Sequence, residues 1–322
     1  MQSLKNKRVL VTGGAGFVGS NLVRKLVEEH GSKVTVLDDL FTGDREHLHG
    51  IDHYFVHGSV EDKETVNKCI RNSDIVFHLA SRNIILSNQN PREDMAVNVG
   101  GSFNVFEASL LHNVERVVYA STSSVYGNPE KLPVSENDPK SFLNFYSASK
   151  YSAEVYAETF FRVFKLPVSI VRYSNVYGIN QSPGNPYCGV IGKFISAAIN
   201  GEALKLHGNG KQTRDYTYVD DAVTATIAAA IHPEAPGQSY NIGTGIETSV
   251  NQLAKIILDV TGSSSIIEHV KNRDIDNISR RAMNITKSEK ELQYLPFYNL
   301  YEGLQTTVNW YLKTFPKAEV SA

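Results

Sequence analysis

The sequence predicts an α/β protein built on a doubly wound parallel sheet, with a smaller mixed α/β lobe towards the C-terminus. Short β-branched runs alternate with helical patterns over the first 175 of the 322 residues. These runs are apolar almost throughout, which is typical of strands that helices cover on both faces of a parallel sheet. After Tyr173 the alternation gives way to "SNVYGINQSPGNPYCG", a stretch rich in Gly, Pro and Asn.

The strands and helices follow from these patterns in chain order. The apolar runs "RVLVT", "KVTVLD", "HYFVH", "DIVFHLA", "RVVYAS" and "PVSIVRY" predict strands at 8–12, 33–38, 53–57, 74–80, 116–121 and 167–173. Later helices are predicted near 190–200, 221–231, 250–261 and 300–313. We therefore expect a sheet domain at 1–175, with a later return segment near 214–240, and a lobe at 176–322.

Composition excludes several classes of function. A formal net charge of −2 without a Lys/Arg block argues against a nucleic-acid partner. Cys69 and Cys188 lie far apart with no CxxC or Cys/His cluster, so neither a disulfide framework nor a metal site is expected. The N-terminus lacks the apolar run of a signal peptide, and no stretch approaches about 18 apolar residues. A cytoplasmic protein with no membrane partner is therefore expected.

A glycine-rich turn follows the first predicted strand. Gly13, Gly16 and Gly19 lie between a strand and a helix, where glycines allow close approach to a pyrophosphate and the helix offers free N–H groups. The next strand ends in Asp38, 19 residues after Gly19, where a carboxylate accepts from a ribose 2′-hydroxyl and repels a 2′-phosphate. The segment therefore predicts a Rossmann domain that binds NAD rather than NADP. The alternative is a glycine-rich turn in which Asp38 caps a helix.

The segment "YSASK" offers a candidate acid/base pair. Tyr146 precedes Lys150 by one helical turn, and among sixteen tyrosines only this one is followed four residues later by lysine. Free tyrosine titrates at about pH 10, so a tyrosine that serves as a base needs nearby positive charge. Thr122, Ser123 and Ser124 end a predicted strand on the side of the sheet that faces the ligand crevice. The alternatives are a surface helix pair and a polar strand end.

Ordered motifs cover nearly the whole chain: "TGGAGFVGS", "FHLAS", "STSSVYG", "YSASK", "RYSNVYG", "QTRDYTYVDD" and "YNIGTG". In these motifs and their order the chain resembles the extended short-chain dehydrogenase/reductase family, specifically its nucleotide-sugar epimerases and dehydratases. The resemblance implies a Rossmann domain that holds NAD tightly and a small lobe that binds a nucleoside-diphosphate sugar. It also implies that hydride leaves one sugar carbon, giving a ketose, and returns on the other face.

The resemblance assigns roles to individual residues. Tyr146 is implied as the catalytic base, Lys150 as its supporting cation, and Thr122 as the contact to the reacting sugar oxygen. The implied cofactor contacts are Gly13, Gly16, Phe17, Val18, Gly19, Asp38, Asp39, Ser59, Val60, Leu79, Ala80, Ser81, Asn98, Tyr146, Lys150 and Tyr173. The implied substrate contacts are Arg82, Thr122, Ser123, Ser124, Tyr146, Asn175, Val190, Arg214, Arg273 and Arg280.

Ser123 and Ser124 bear on the choice of reaction. The family's sugar 4,6-dehydratases carry Asp-Glu at these positions, because eliminating water requires an acid and a base, and its uronate decarboxylases usually carry glutamate at the second. The chain has neither carboxylate, which favours C4 epimerisation of a UDP-hexose, UDP-glucose or UDP-galactose, through a transient 4-keto intermediate. The alternatives are a decarboxylase or dehydratase, a net keto-sugar reductase, and a non-catalytic NAD-binding regulator.

Arginines are the expected anchors of the substrate. By family position, Arg214 and Arg273 hold the diphosphate, to which bidentate guanidinium geometry is suited; surface ion pairs with nearby aspartates are the alternative. Arg280 falls near the position that gates the sugar pocket in galactose epimerases. A UDP-uronic acid 4-epimerase, in which this guanidinium recognises a carboxylate, is therefore a further alternative.

Two helical segments predict a homodimer. The helices around 92–112 and 146–165 match those that pair in the family's dimers as a four-helix bundle. The segment "VYAETFFRVF" at 155–164 carries more aromatic surface than a solvated helix needs. The alternative is that this surface is buried against the chain's own sheet.

Overall fold

The computed structural model describes residues 3–182, 189–271 and 278–315. Its strands are β1 (Arg8–Thr12), β2 (Lys33–Asp38), β3 (His53–His57), β4 (Ile75–His78), β5 (Arg116–Thr122), β6 (Val168–Tyr173), β7 (Asn175–Tyr177), β8 (Leu204–His207), β9 (Thr213–Arg214), β10 (Tyr216–Tyr218), β11 (Ser239–Ile242), β12 (Thr248–Ser249) and β13 (Ile267–Val270). Its α-helices are α1 (Phe17–Glu28), α2 (Lys63–Ile70), α3 (Ile84–Gln89), α4 (Pro91–Asp94), α5 (Ser102–Leu111), α6 (Phe145–Phe164), α7 (Val190–Asn200), α8 (Val219–Ile231), α9 (Val250–Thr261), α10 (Thr286–Leu292) and α11 (Leu300–Thr314). A π-helical segment, Met95–Gly101, joins α4 to α5, and 3-10 helices lie at Arg45–Leu48 and Ser123–Tyr126.

The large sheet has seven parallel strands in the order β11-β6-β5-β4-β1-β2-β3 within the described residues. The chain runs outwards from β1 through β2 and β3, and then returns to build β4, β5 and β6 on the other side. This order confirms the predicted doubly wound fold class. Each of the six predicted strands coincides with an observed strand to within two residues at either end.

Both faces of the large sheet are covered by helices. Along β1, Val9 and Val11 belong to a buried apolar cluster with residues of α1 and α8, whereas Leu10 belongs to the opposite cluster with residues of α2, α5 and α6. Strand β5 is buried along its whole length. This double coverage explains why the strands read as near-continuous apolar runs. Because the strands are parallel, the loops at their carboxyl ends gather along one edge, where the site lies.

Three short strand pairs lie outside the large sheet within the described residues, and the sequence pattern does not reveal them. β7 pairs with β10, β9 with β12 and β8 with β13; each has two to four residues, too few to show a period. Between them the chain returns to the large sheet through α8, which packs against α1, and β11, which pairs with β6. The division into two domains stays a prediction. Across the described residues, no helix is both long enough and apolar enough to cross a bilayer.

Candidate active site

The turn after β1 is a cradle that has no room for side chains. A Cβ on Gly19 would lie 2.0 Å from the Gly13 carbonyl oxygen, and one on Gly13, whose φ is +72°, would lie 2.7 Å from the Ala80 amide nitrogen. Helix α1 follows directly; its N-cap, Gly16, makes no side-chain capping hydrogen bond, and its first turn contains no acidic residue. The N–H groups and the positive dipole end of α1 are therefore available to an anion.

An open cleft of about 300 Å³ lies against this turn and between the loops that follow β1 to β4. The predicted cofactor residues that line it are Gly13, Gly16, Phe17, Val18, Gly19, Asp38, Asp39, Ser59, Val60, Leu79, Ala80 and Ser81. Sequence reasoning missed Thr42, Gly43, Asn83 and Val97, which also line the cleft. Of these, Gly43 carries a sequence signal, because it is a glycine shortly after the acidic end of a strand.

The carboxylate of Asp38 is buried where β2 ends at the cleft. Its Oδ2 accepts a hydrogen bond from the Ala15 N–H at 2.9 Å, and its Oδ1 accepts one from the Leu40 N–H at 2.8 Å. Burial raises the pKa of Asp38, whereas these two backbone hydrogen bonds lower it. A Cβ on Gly43 would lie 2.8 Å from Oδ1, so the loop after β2 closes directly over the carboxylate.

Two predicted cofactor contacts, Asn98 and Tyr173, are bonded to groups of the protein. The Asn98 Oδ1 accepts from the Arg82 backbone N–H at 2.7 Å, and its Nδ2 donates to Asp94 Oδ1 at 2.7 Å. The Tyr173 and Thr226 hydroxyl oxygens lie 2.6 Å apart. The Asn98 amide thus stabilises the loop after β4, and Tyr173 connects β6 to α8. Neither residue is among those that line the cleft. Their roles as cofactor contacts stay predictions.

The hydroxyl-rich end of β5 meets the start of α6. Thr122 ends β5, and its Oγ1 accepts from the Ser124 N–H at 3.1 Å, which turns the chain into a 3-10 helix. Helix α6 begins one residue before Tyr146 and is capped by Asn144, whose Oδ1 accepts from the Ser147 N–H at 2.8 Å. The Thr122 side chain lies near enough to the Tyr146 hydroxyl to lower the pKa of that phenol. The structure therefore brings together two hydroxyls that lie far apart in the sequence.

Burial dominates the ionisation of the pair on α6. Desolvation raises the pKa of Tyr146 to about 12; the Thr122 side chain and the charge of Arg281 lower it, and the charge of Asp94 raises it. Desolvation also lowers the pKa of Lys150 to about 7, although nearby carboxylates oppose this shift. The predicted role of Lys150 in stabilising the phenolate stays a prediction, and Arg281 is a further cation that lowers the pKa of the phenol.

Lys150 is buried between α6 and β5. Its Nζ lies 4.3 Å from the centroid of the Tyr119 ring. One turn further along α6, Glu154 forms a buried ion pair with Arg172 of β6, with Nη2 and Oε2 2.6 Å apart. The Ser121 hydroxyl donates a hydrogen bond to the same carboxylate. This network ties α6 to the sheet and holds the helix face that carries the Tyr–Lys pair.

Hydroxyl groups, rather than carboxylates, occupy the positions after Thr122. Ser123 and Ser124 are both buried there. The nearby carboxylate of Asp94 is used internally, since its Oδ1 accepts from Ser87 Oγ at 2.5 Å and from Ser149 Oγ at 3.0 Å. The end of β5 can therefore hold a polar substrate atom, but it offers no side-chain carboxylic acid.

The two predicted diphosphate arginines differ in what the structure shows of them. Arg214 is buried on β9, and its Nη1 donates to the carbonyl oxygens of Thr213 and Ile278, each at 2.8 Å. These bonds fix the guanidinium between β9 and Ile278. Arg273 lies outside the described residues, so its role stays a prediction.

Arg280, a predicted substrate contact, is exposed and paired with Glu247, and its substrate role stays a prediction. Its Nε and Nη2 donate to the carboxylate oxygens of Glu247 at 3.0 and 2.5 Å. The buried arginine is its neighbour Arg281, which is 4% exposed and acts on the pKa of Tyr146. Sequence reasoning did not select Arg281. The only signal was the Arg–Arg pair itself, which cannot show which side chain points inwards.

Three other predicted substrate contacts come from different elements. Arg82 lines the dinucleotide cleft, where its guanidinium is bonded to the carboxylates of Asp39 and Glu93. Asn175 begins β7, alongside β10. Val190 begins α7. The substrate roles of these three residues stay predictions.

The cradle and the carboxylate fit a dinucleotide. Glycines clear the backbone for a pyrophosphate, the uncapped start of α1 suits its charge, and Asp38 ends the next strand at the same cleft. A parallel sheet with such a cleft at the point where the strand order reverses defines the dinucleotide-binding class of α/β enzymes.

The chain belongs to the NAD dependent epimerase/dehydratase family, whose model matches residues 9–243. It is 37% identical over 305 residues to a putative UDP-glucose 4-epimerase of Methanocaldococcus jannaschii, covering 94% of this chain and 97% of the relative. It is also 37% identical over 323 residues to a UDP-N-acetyl-alpha-D-glucosaminuronate decarboxylase of Bacillus cytotoxicus, covering 95% and 98%. The crystal structure of a UDP-glucose 4-epimerase from Thermotoga maritima with UDP-glucose has a TM-score of 0.91 at 35% identity and covers 95% of this chain and 99% of its own. NAD is therefore the cofactor. The two relatives that are 37% identical to this chain are named for different reactions, so identity alone does not decide the reaction.

Proposed function

We propose that the protein is an NAD-dependent epimerase that acts at C4 of a UDP-hexose, UDP-glucose or UDP-galactose. The observation that carries this proposal is the set of side chains at the end of β5. Thr122 lies beside Tyr146 and lowers its pKa, and the next two positions are the buried hydroxyls of Ser123 and Ser124. Dehydration would need an acid and a base at such positions, whereas epimerisation needs one group that removes a proton and returns it.

Tyr146 is the proton-transfer group in this proposal. Bound NAD supplies the hydride acceptor and donor and a positive charge. The Tyr146 hydroxyl oxygen takes the proton of the sugar C4 hydroxyl, and Thr122 holds the same sugar oxygen. Because the pKa of Tyr146 is about 12 in the protein alone, the phenolate needs further positive charge. Lys150, whose pKa is about 7, can exchange a proton at neutral pH.

The UDP part of the substrate is assigned to the smaller lobe. Arg214 supports this assignment, because its guanidinium is buried and fixed by two carbonyl oxygens, and a fixed guanidinium suits a diphosphate. Asn175 and Val190 are the other proposed contacts in the described part of this lobe. We expect the protein to act in the cytoplasm, without a nucleic-acid or membrane partner.

The proposal is tested by incubating the purified protein with UDP-, GDP-, CDP- and dTDP-sugars, with no cofactor added, and identifying the products by NMR. We expect interconversion of UDP-glucose and UDP-galactose. Formation of a 4-keto-6-deoxy sugar would show a dehydratase, and release of carbon dioxide from a uronate would show a decarboxylase. A requirement for stoichiometric NADH or NADPH would show a net reductase. Each of these outcomes would refute the proposal.

A UDP-uronic acid is the second candidate substrate. Arg281 favours it, because this buried arginine acts on the pKa of the proposed base and a guanidinium is suited to a carboxylate. The exposed Arg280, paired with Glu247, is less suited to this role. If the substrate is a uronate, Arg281→Ala should lower the ratio of UDP-glucuronate to UDP-glucose turnover, and Arg280→Ala should leave the ratio unchanged.

We also propose that the protein is a homodimer. Helices α5 and α6 expose apolar side chains, namely Phe103, Leu111, Val155, Tyr156, Val163 and Phe164. Pairing of two such helices with their copies would bury this surface. Val155→Glu should shift the protein towards a monomer in analytical ultracentrifugation, whereas Ile266→Glu, at an exposed apolar position of the other lobe, should not.

A further inference from the structure

Two charged residues that line the dinucleotide cleft, Arg82 and Asp39, are paired with each other. Arg82, in the loop after β4, donates from Nη2 to Asp39 Oδ2 at 2.8 Å and from Nε to Glu93 Oε1 at 2.7 Å. Its guanidinium carbon also lies 4.2 Å from the centroid of the Phe41 ring. Arg82, Asp39 and Glu93 are called the mouth cluster below.

The pair between Arg82 and Asp39 crosses the cleft. Strand β1 lies between β4 and β2, so the loops after β4 and β2 stand on either side of the glycine turn that follows β1. Asp39 directly follows β2, Arg82 lies four residues after the end of β4, and both line the cleft. A bond between them therefore spans the turn at which the pyrophosphate of a dinucleotide lies in this class of fold.

The mouth cluster is sheltered and anchored. The side chain of Arg82 is 10% exposed, and those of Asp39 and Glu93 are 27% and 32% exposed. Burial lowers the pKa of Arg82, but the hydrogen bonds to the two carboxylates outweigh it and leave the pKa raised. Asn98 holds the backbone of Arg82 on both sides, accepting from its N–H and donating to its carbonyl oxygen. Such a charge-assisted contact is stronger than an exposed surface pair.

We propose that the Arg82–Asp39 pair is a latch, which must open for NAD to enter or leave the cleft, and that Glu93 and Asn98 position the arginine. The inference rests on the assignment of NAD to this cleft. Because opening precedes both entry and exit, weakening a latch raises the two rate constants in the same proportion and leaves Kd nearly unchanged. Loss of a simple contact with NAD would instead speed release and weaken Kd.

The test measures NADH binding and release by stopped-flow fluorescence. Protein stripped of cofactor is mixed with NADH for the association rate, and NADH-loaded protein is mixed with excess NAD for the dissociation rate. Arg82→Gln should raise both rate constants about 10-fold and change Kd less than about 3-fold. Asp39→Asn should raise the association rate constant by a similar factor. Glu93→Gln keeps the pair across the cleft, so both rates should rise only about 2-fold to 3-fold. Arg92→Gln, which removes an exposed arginine from α4, should change neither.

Two further measurements separate a latch from a structural role. Adding Asp39→Asn to Arg82→Gln should not raise the association rate constant further, because the pair is already broken. Raising the salt concentration should speed NADH release more in the unchanged protein than in Arg82→Gln. Thermal unfolding of each variant shows whether the fold is retained.

Several results would overturn the latch. Faster release with unchanged association in Arg82→Gln would make the arginine a direct contact. Rates within about 2-fold of the unchanged protein in both Arg82→Gln and Asp39→Asn, with the fold retained, would show that NAD passes elsewhere. No sugar is present in these measurements, so failure of the epimerase proposal leaves them unaffected. If the protein without any substitution binds no NADH, both the cofactor site and the latch are refuted.

Discussion

The dinucleotide cleft and the Tyr146 cluster lie at the same edge of one sheet, but they are built in different ways. Thr122, Tyr146, Lys150 and Arg281 are called the Tyr146 cluster here. The cleft depends on the backbone: its turn has no room for a Cβ at Gly13 or Gly19, and α1 begins there without a side-chain cap. The Tyr146 cluster depends on side chains from β5, α6 and the segment that carries Arg281, and burial decides their charges.

This difference separates binding from chemistry. A binding site formed by the backbone loses its ligand when added atoms clash with it. A cluster of polar side chains fails when one group is removed, while the surrounding fold remains. Removing the Tyr146 hydroxyl should therefore lower turnover and spare NAD binding, and adding atoms to the cradle should first lower NAD binding.

Tyr146→Phe should show the largest effect. Loss of the proton-transfer hydroxyl should lower kcat by about 1000-fold, within the range for general acid/base groups, with NAD content unchanged. Turnover is measured by NMR, and NAD is measured after acid extraction. Tyr156→Phe changes a more exposed tyrosine on the same helix and should retain activity. Loss of bound NAD from Tyr146→Phe would contradict the separation of the two regions.

Gly19→Ala should act on the cleft. Its Cβ would lie 2.0 Å from the Gly13 carbonyl oxygen, so the turn must move, and we expect NAD affinity to fall about 100-fold or more. Titration calorimetry on protein stripped of cofactor measures the affinity, with circular dichroism as a check on the fold. Gly100→Ala is the matched control, because the nearest atom to its Cβ lies at 3.8 Å. Normal affinity in Gly19→Ala would be inconsistent with the cradle.

The buried His78 should make stability depend on pH. It is buried between Thr12 Oγ1, at 2.7 Å, and Ser102 Oγ, at 2.9 Å, and desolvation lowers its pKa to about 3. Unfolded histidine titrates at about 6.5, so between these two pKa values the unfolded chain binds more protons. The free energy of unfolding should therefore decrease as pH falls below about 6.5, by about 3 kcal/mol at pH 4.

Urea unfolding at pH 7 and pH 4 measures this loss. His78→Gln should lose less stability on acidification than the unchanged protein, because it has no proton to bind at this position. His49→Gln, at an exposed position, should behave like the unchanged protein. An equal loss of stability in His78→Gln would show that other groups cause the acid sensitivity.

The adjacent arginines should show the smallest effect. Arg281→Ala removes the cation that lowers the pKa of Tyr146, so kcat/KM for UDP-glucose should fall about 10-fold and the acidic limb of its pH profile should move to higher pH. Arg280→Ala breaks an exposed pair with Glu247 and should stay within about 3-fold. Equal effects of the two substitutions would mean that the burial of Arg281 has no bearing on the reaction.

Most of the sheet could be predicted from the sequence, because doubly covered parallel strands are continuous apolar runs with turn residues between them. The glycine turn, Asp38 and the Tyr146–Lys150 pair were equally visible, since each is a short pattern at fixed spacing. The short strand pairs outside the large sheet were not visible, because strands of two to four residues carry no period. The pairing of Arg82 with Asp39 was also missed, because its partners come from different loops.

The sequence by itself determined the fold class, the cofactor cleft and the identity of the chemical groups. These features depend on periodicity and local spacing, which a linear chain displays directly. Only the tertiary structure decided that Arg281 is buried and Arg280 exposed, that Arg82 spans the cleft, and that burial moves the pKa values of Tyr146 and Lys150 in opposite directions. The physical reason is that desolvation and Coulomb interactions depend on distances between segments that are remote in sequence.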